Sequence, residues 1–146
     1  MSTLHFGVVD LAYSDADTPG AQTTYQVAKR LEEEYDVMGT FVRLHADEIV
    51  TAVTDKYRNV LNRVMEGNSG QLNRREWMMP KIESGFRDYL SRDEWQQATG
   101  RTIAAAQRGV SHRFKNPERR AKNHGPRPAF IDTGLYRRSF RAWLTP

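Results

Sequence analysis

From Met38 to Glu66 apolar residues return every three or four positions with no proline between them, and this periodicity constrains the chain more than any other feature. Phe41, Leu44, His45, Ile49, Ala52, Val53, Tyr57, Val60, Leu61, Val64 and Met65 fall on one stripe of a 3.6-residue repeat. The spacing predicts one helix of about seven turns, roughly 43 Å long at 1.5 Å per residue, on which the rest packs. Gly67-Asn68-Ser69-Gly70 should stop it, because glycine accepts the left-handed backbone that ends a helix. His45 lies within the stripe and reads as a satisfied core histidine.

Around this rod the sequence places smaller elements. Leu4, Phe6 and Val8 alternate with Thr3, His5 and Gly7, which predicts a strand over 3–9. Residues 14–20 (Ser-Asp-Ala-Asp-Thr-Pro-Gly) form a loop by their turn chemistry. Thr23 and Gln26 fit a capping box, with a helix to about Tyr35 burying Val27, Ala28 and Leu31. Glu32, Glu33 and Glu34 end that helix where its dipole disfavours negative charge, so either the helix continues or they meet a basic neighbour. Residues 72–98 are helical by the spacing of Trp77, Ile82, Phe86, Tyr89 and Leu90, with Pro80 in a first turn or at a kink. Ser91 and Glu94 suggest a second capping box, with Trp95 docking the helix they start. Gly100 breaks it, and Thr102 to Val110 reads as one more short helix.

The chain of 146 residues is expected to be a single domain with one core. It has no cysteine, which excludes disulfides and thiolate metal sites. No apolar run approaches the roughly 20 residues of a membrane span, and no leader pattern opens it, so no membrane partner is expected. A mean hydropathy of -0.73 with three Trp, six Tyr and six Phe fits a polar domain that completes its burial in an oligomer. Charge is segregated: residues 1–100 carry a net -5 and residues 101–146 a net +9. The basic excess centres on a loop or arm over 111–126, where Arg113, Lys115, Arg119, Arg120 and Lys122, with Arg127 just beyond, are candidate contacts for DNA or an acidic partner. One interleaved aromatic, Phe114, is too few for a base-stacking platform. His112 and His124 lack neighbouring carboxylates, and no metal or cofactor is expected.

The stretch from Gly125 to Leu144 is distinctive. Pro126 and Pro128 hold the approach extended, Ala129, Phe130 and Ile131 anchor it, and Asp132-Thr133-Gly134 turns it toward a short helix. An apolar residue before Asp-Thr-Gly resembles the aspartic-protease loop, but that chemistry needs a second such loop and further strands. Only twelve residues follow Gly134, and no second Asp-Thr-Gly occurs, so a structural turn is expected. Phosphate-cradling loops, a nucleophile elbow and His-Glu-x-x-His are all missing from the sequence, and the chain is not expected to be an enzyme.

The same stretch resembles the neck and tail-completion proteins of tailed bacteriophages, whose motif runs approximately Pro-apolar-x-Asp-Thr-Gly-x-Leu-x-x-Ser-apolar. Pro128, Phe130, Asp132, Thr133, Gly134, Ser139 and Phe140 match it; the departure is Leu135 directly after the glycine, with Tyr136 where the pattern has its leucine. The resemblance covers about 17 residues. It implies a virion protein, made in the host cytoplasm, that joins the filled head to the tail as a ring, sixfold in preference to twelvefold. Its partners would be other copies, neighbouring neck, portal-adaptor or tail-terminator proteins, and the genome DNA in the channel. Phe140, Trp143 and Leu144 would then form a subunit or partner interface. The expected fold is α+β, predominantly helical, with one long central helix and a small antiparallel sheet joining the N-terminal strand to segments within 127–144. Two other classes compete: a free, sequence-independent nucleic-acid-binding module using 111–127, and a hydrolase with an unrecognised carboxylate site.

Overall fold

The N-terminal alternation forms strand β1 (Thr3–Val8), and its partner is the far end of the chain, β2 (Phe140–Thr145). They pair antiparallel, with Thr3 opposite Thr145 and Val8 opposite Phe140. The structure, a computed structural model, describes residues 2–13, 22–68, 74–108, 125–131 and 134–145. Between the strands lie α1 (Thr24–Tyr35), α2 (Val37–Leu44), α3 (Ala46–Met65), a 3-10 turn (Arg74–Trp77), α4 (Pro80–Ser91), α5 (Glu94–Thr99), α6 (Ala104–Gln107) and α7 (Leu135–Ser139). The fold is α+β and mainly helical, with a two-stranded antiparallel sheet.

Period-2 alternation gives β2 an inner face of Phe140, Ala142 and Leu144, all buried. This face and Leu4, Phe6 and Val8 of β1 pack on α2 and α4. The Phe140 ring stacks on Phe86 of α4 at 3.9 Å between centroids and on Phe6 at 5.9 Å. Phe41 of α2 closes the cluster, edge-on to Phe86 at 5.2 Å. The outer edge of β2 is closed by the start of α4: Met79 N–H donates to Ala142 O (2.9 Å), and Ala142 N–H donates to Glu83 Oε1 (3.3 Å). Glu83 is a buried carboxylate, and Arg87 one turn on neutralises it at 3.3 Å.

The triglutamate has a different answer for each member. Lys29 pairs with Glu33 and Arg30 with Glu34 along α1. Glu32 accepts from the N–H groups of Met38 (2.7 Å) and Gly39 (3.0 Å), capping α2, which starts two residues after α1 ends. A carboxylate unfavourable at one helix end is thereby favourable at the start of the next. Asp36 turns the corner with φ 51, and a Cβ on Gly39 would meet its carboxylate at 2.0 Å. Two aromatic donors clamp the corner from α4 and α5: Tyr89 OH to Val37 O (3.1 Å) and Trp95 Nε1 to Tyr35 O (3.0 Å).

Three expectations are corrected. The rod over 38–66 is two helices, because His45 (φ -112, ψ 24) leaves helical geometry where Glu48 and Glu94 hold its ring. The Ser91–Glu94 capping box is absent: Ser91 belongs to α4 and its Oγ donates to Arg87 O, while Asp93 makes the corner with φ 55. The helix expected over 102–110 is only Ala104–Gln107 within the described residues. The capping box at Thr23, Pro80 at the first position of α4, the docking of Trp95 and the stop at Gly67 (φ 83) all occur as predicted.

Phe86 is fully buried against four aromatic rings, Phe41, Tyr89, Tyr136 and Phe140. Phe86→Ala should therefore destabilise the fold by about 3–5 kcal/mol, read as a fall in the urea midpoint. A loss below about 1 kcal/mol would mean that the cluster is not the core.

Candidate functional site

The C-terminal motif is built in steps along α5, α6 and the sheet. Arg127 N–H donates to Ala106 O (3.1 Å), fixing the extended Gly125–Pro128 approach on α6. Ala129 N–H donates to Asp93 Oδ1 (3.2 Å) at the α4–α5 corner. Half-buried Phe130 packs edge-on to Trp95 at 4.8 Å and against Tyr35 at 5.6 Å. Pro128 O accepts from Ile131 N–H (3.2 Å), closing a tight turn. Asp132 and Thr133 lie outside the described residues, so capping by Asp132 has no structural account. Gly134 follows with φ 75, as a glycine turn requires, and α7 starts there.

Tyr136 of α7 is buried, edge-on to Phe86 at 6.1 Å, and burial pushes its hydroxyl well above the ordinary tyrosine range. Ser139 Oγ donates to Tyr136 O (2.8 Å), and Ser139 O accepts from Val9 N–H (2.8 Å), tying the end of α7 to the end of β1. Phe140 then enters the core. Each described motif residue thus holds or turns the chain, and none meets a nucleophile or acid–base pair.

Among the three residues expected at an interface, Phe140 (0 % exposed) and Leu144 (3 %) lie inside the domain and have no surface to offer a partner. Trp143 alone faces outward, stacked on His5 at 5.3 Å and lying over Gly7. The alternation Phe140-x-Ala142-x-Leu144 carried this signal, but a short helix capped by Asp132 obscured the strand. Arg127 has an internal role. Its guanidinium donates inward to Pro128 O (3.3 Å) and Ile131 O (2.9 Å), so it braces the turn. Arg113, Lys115, Arg119, Arg120 and Lys122 lie outside the described residues. Sequence reasoning missed Glu83, Glu32 and Asp93, whose carboxylates serve backbone N–H groups. Glu83 could have been found on the same helical face as Ile82 and Phe86.

An open groove of about 400 Å³ between α3 and α4 is lined by Phe41, His45, Glu48, Ala52, Lys81 and Gly85, among others. His45 is engaged at both ring nitrogens, Nδ1 to Glu48 (2.9 Å) and Nε2 to Glu94 (2.8 Å). It has no free lone pair for a metal or a substrate proton. Among the described residues, no group of three His, Asp or Glu side chains could hold a metal ion. No helix among them is long and apolar enough to cross a membrane. No protein-family profile matches the chain, and comparison with curated proteins and with solved structures gives no match.

Two outcomes are expected. At Gly134 an added Cβ would have nothing within 4 Å, so the cost of substitution is that of the left-handed backbone alone. Gly134→Ala should lower stability by about 1–2 kcal/mol, measured by urea denaturation; no loss would refute the positive φ. For His45, burial opposes its charge, but the hydrogen bonds and charges of Glu48 and Glu94 outweigh it and raise its pKa. A raised folded-state pKa stabilises fully below the ordinary value of about 6.5, and that stabilisation is lost as pH rises through the folded value. Melting temperature should fall over this window in the native protein and stay flat in His45→Gln; parallel curves would contradict the assignment.

Proposed function

We propose that this protein is a structural subunit of the head–tail interface of a tailed bacteriophage, forming a ring around the DNA channel between the filled head and the tail. The observation that carries the reading is the motif from Pro128 to Phe140, which resembles that of neck and tail-completion proteins. In this fold its described residues act in architecture, which suits an assembly part better than a catalyst. The outer surface of α3 supports the reading. Leu61, Val64 and Met65 are 61, 52 and 85 % exposed and continue the apolar stripe beyond the reach of this core, and Val50, off the stripe, is 64 % exposed. Exposed apolar side chains along one helix suit contact with other subunits. The opposed charges of residues 1–100 and 101–146 fit a head-to-tail arrangement of copies in a closed ring.

The net +9 of residues 101–146 favours the second reading, a free nucleic-acid-binding module. That reading predicts tight DNA binding by the isolated subunit, weakening steeply with salt.

Quantitative peptide mass spectrometry on purified particles from the source separates the two. The neck reading expects about six or twelve copies per particle. It also expects that Leu61→Glu with Met65→Glu changes subunit stability by less than about 0.5 kcal/mol, since both are exposed, yet prevents incorporation. Absence from particles, with tight DNA binding by the free protein, would overturn the neck reading.

A further inference from the structure

Strand β1 has one side bonded to β2 and, among the described residues, no strand bonded to the other. The hydrogen bonds of β2 to α4 show which side is which. Ala142 turns both its N–H and its C=O toward Met79 and Glu83, away from β1. Its cross-strand partner Phe6 therefore sits in a non-hydrogen-bonded pair and turns its own N–H and C=O away from β2. Leu4 and Val8, two residues to either side, point the same way. Among the described residues no hydrogen bond reaches these outward groups of Leu4, Phe6 or Val8.

Sheet edges left open are ordinarily blunted by lysine, proline, a bulge or a covering element. The outer edge of β2 is covered by α4, as described. β1 has none of the sequence devices: Thr3-Leu4-His5-Phe6-Gly7-Val8 contains no charged residue and no proline, and its six residues pair with β2 in unbroken register. Val9, immediately after it, is 42 % exposed.

We propose that the open edge of β1 pairs antiparallel with β1 of a second copy, across a twofold axis at Phe6, to give a continuous four-stranded sheet. The occupant is argued from self-complementarity. In the register that places Phe6 opposite Phe6 of the second copy, Leu4 meets Val8 and Val8 meets Leu4, so the outward groups exchange about six main-chain hydrogen bonds. The apolar faces of the two strands become contiguous on the core side. On the other face His5 of each copy falls beside Gly7 of its mate, over which the mate's own Trp143 ring lies. Asp10 falls opposite Ser2, so no like charges are opposed. The proposal does not depend on the ring reading: a ring closes through head-to-tail surfaces, whereas this contact is twofold.

The test combines mass in solution with amide exchange on the purified full chain. Light scattering over a dilution series should give about twice the 16.9 kDa chain mass at high concentration and the chain mass at low concentration. The amides of Leu4, Phe6 and Val8 should gain protection in step with that rise. Leu4→Pro removes one outward donor without taking a bond from the β1–β2 ladder. It should raise the dissociation constant at least about tenfold with cooperative melting retained, while Leu4→Val should pair as the native chain does. A chain that is monomeric throughout, an association that leaves these three amides unprotected, or a Leu4→Pro protein that associates undiminished would each overturn the proposal. If Leu4→Pro does not fold, the exchange of the three amides in the native chain decides.

Discussion

The stack of Phe140 on Phe86 is the contact through which the rest of the fold is joined. It links the last strand to α4, and Phe6 and Phe41 extend it to β1 and α2. The first and last strands thus meet at the core. Among the described elements between them, α2 and α4 cover the two strands. A two-stranded sheet is marginal by itself, and this one exists because helices cover one face and α4 closes one edge.

Polar groups are used in the interior with economy. Glu32 caps α2, Glu83 receives the free N–H of the last strand, and Asp93 receives Ala129 N–H, each at a corner where the backbone would otherwise hold an unmet donor. These carboxylates account for part of the acidity of the first hundred residues. Segregated charge in the chain is therefore not all surface charge, and the functional weight of the acidic half is smaller than composition implies. Arginines of the basic segment are likewise turned inward: Arg127, Arg137 and Arg141 donate to main-chain carbonyls, and Arg101 lies over the Tyr35 and Trp95 rings.

Local signals were legible where one side chain decides one backbone geometry. Thr23 with Gln26, Pro80, Gly67, Gly100 and Gly134 each marked a boundary that the fold respects. Signals that depend on a distant partner were not legible. The apolar stripe through residue 45 is continuous in sequence, and at its break the His45 ring is held both by Glu48 and by Glu94, 49 residues away. Ser91 and Glu94 have the spacing of a cap, yet Asp93 is held by Ala129 and makes the corner instead. At the motif, the glycine turn and the anchoring role of Phe130 could be read. The sheet joining this end to the N-terminal strand was expected, and the alternation of Phe140, Ala142 and Leu144 marked the buried face, but the reading of 135–140 as a helix face assigned Phe140 and Leu144 to an interface instead.

The C-terminal motif delivers the last strand into the core, while the outer face of α3 stays exposed. Native-state hydrogen exchange at the Ala142 amide tests this most directly, because that N–H is bound to Glu83 in the interior. If the last strand is a core element, this amide exchanges only through global unfolding, with the same free energy as the slowest amides of α4. Exchange at the rate of a frayed terminus, while α4 remains protected, would show the strand to be a detachable arm and would contradict the account.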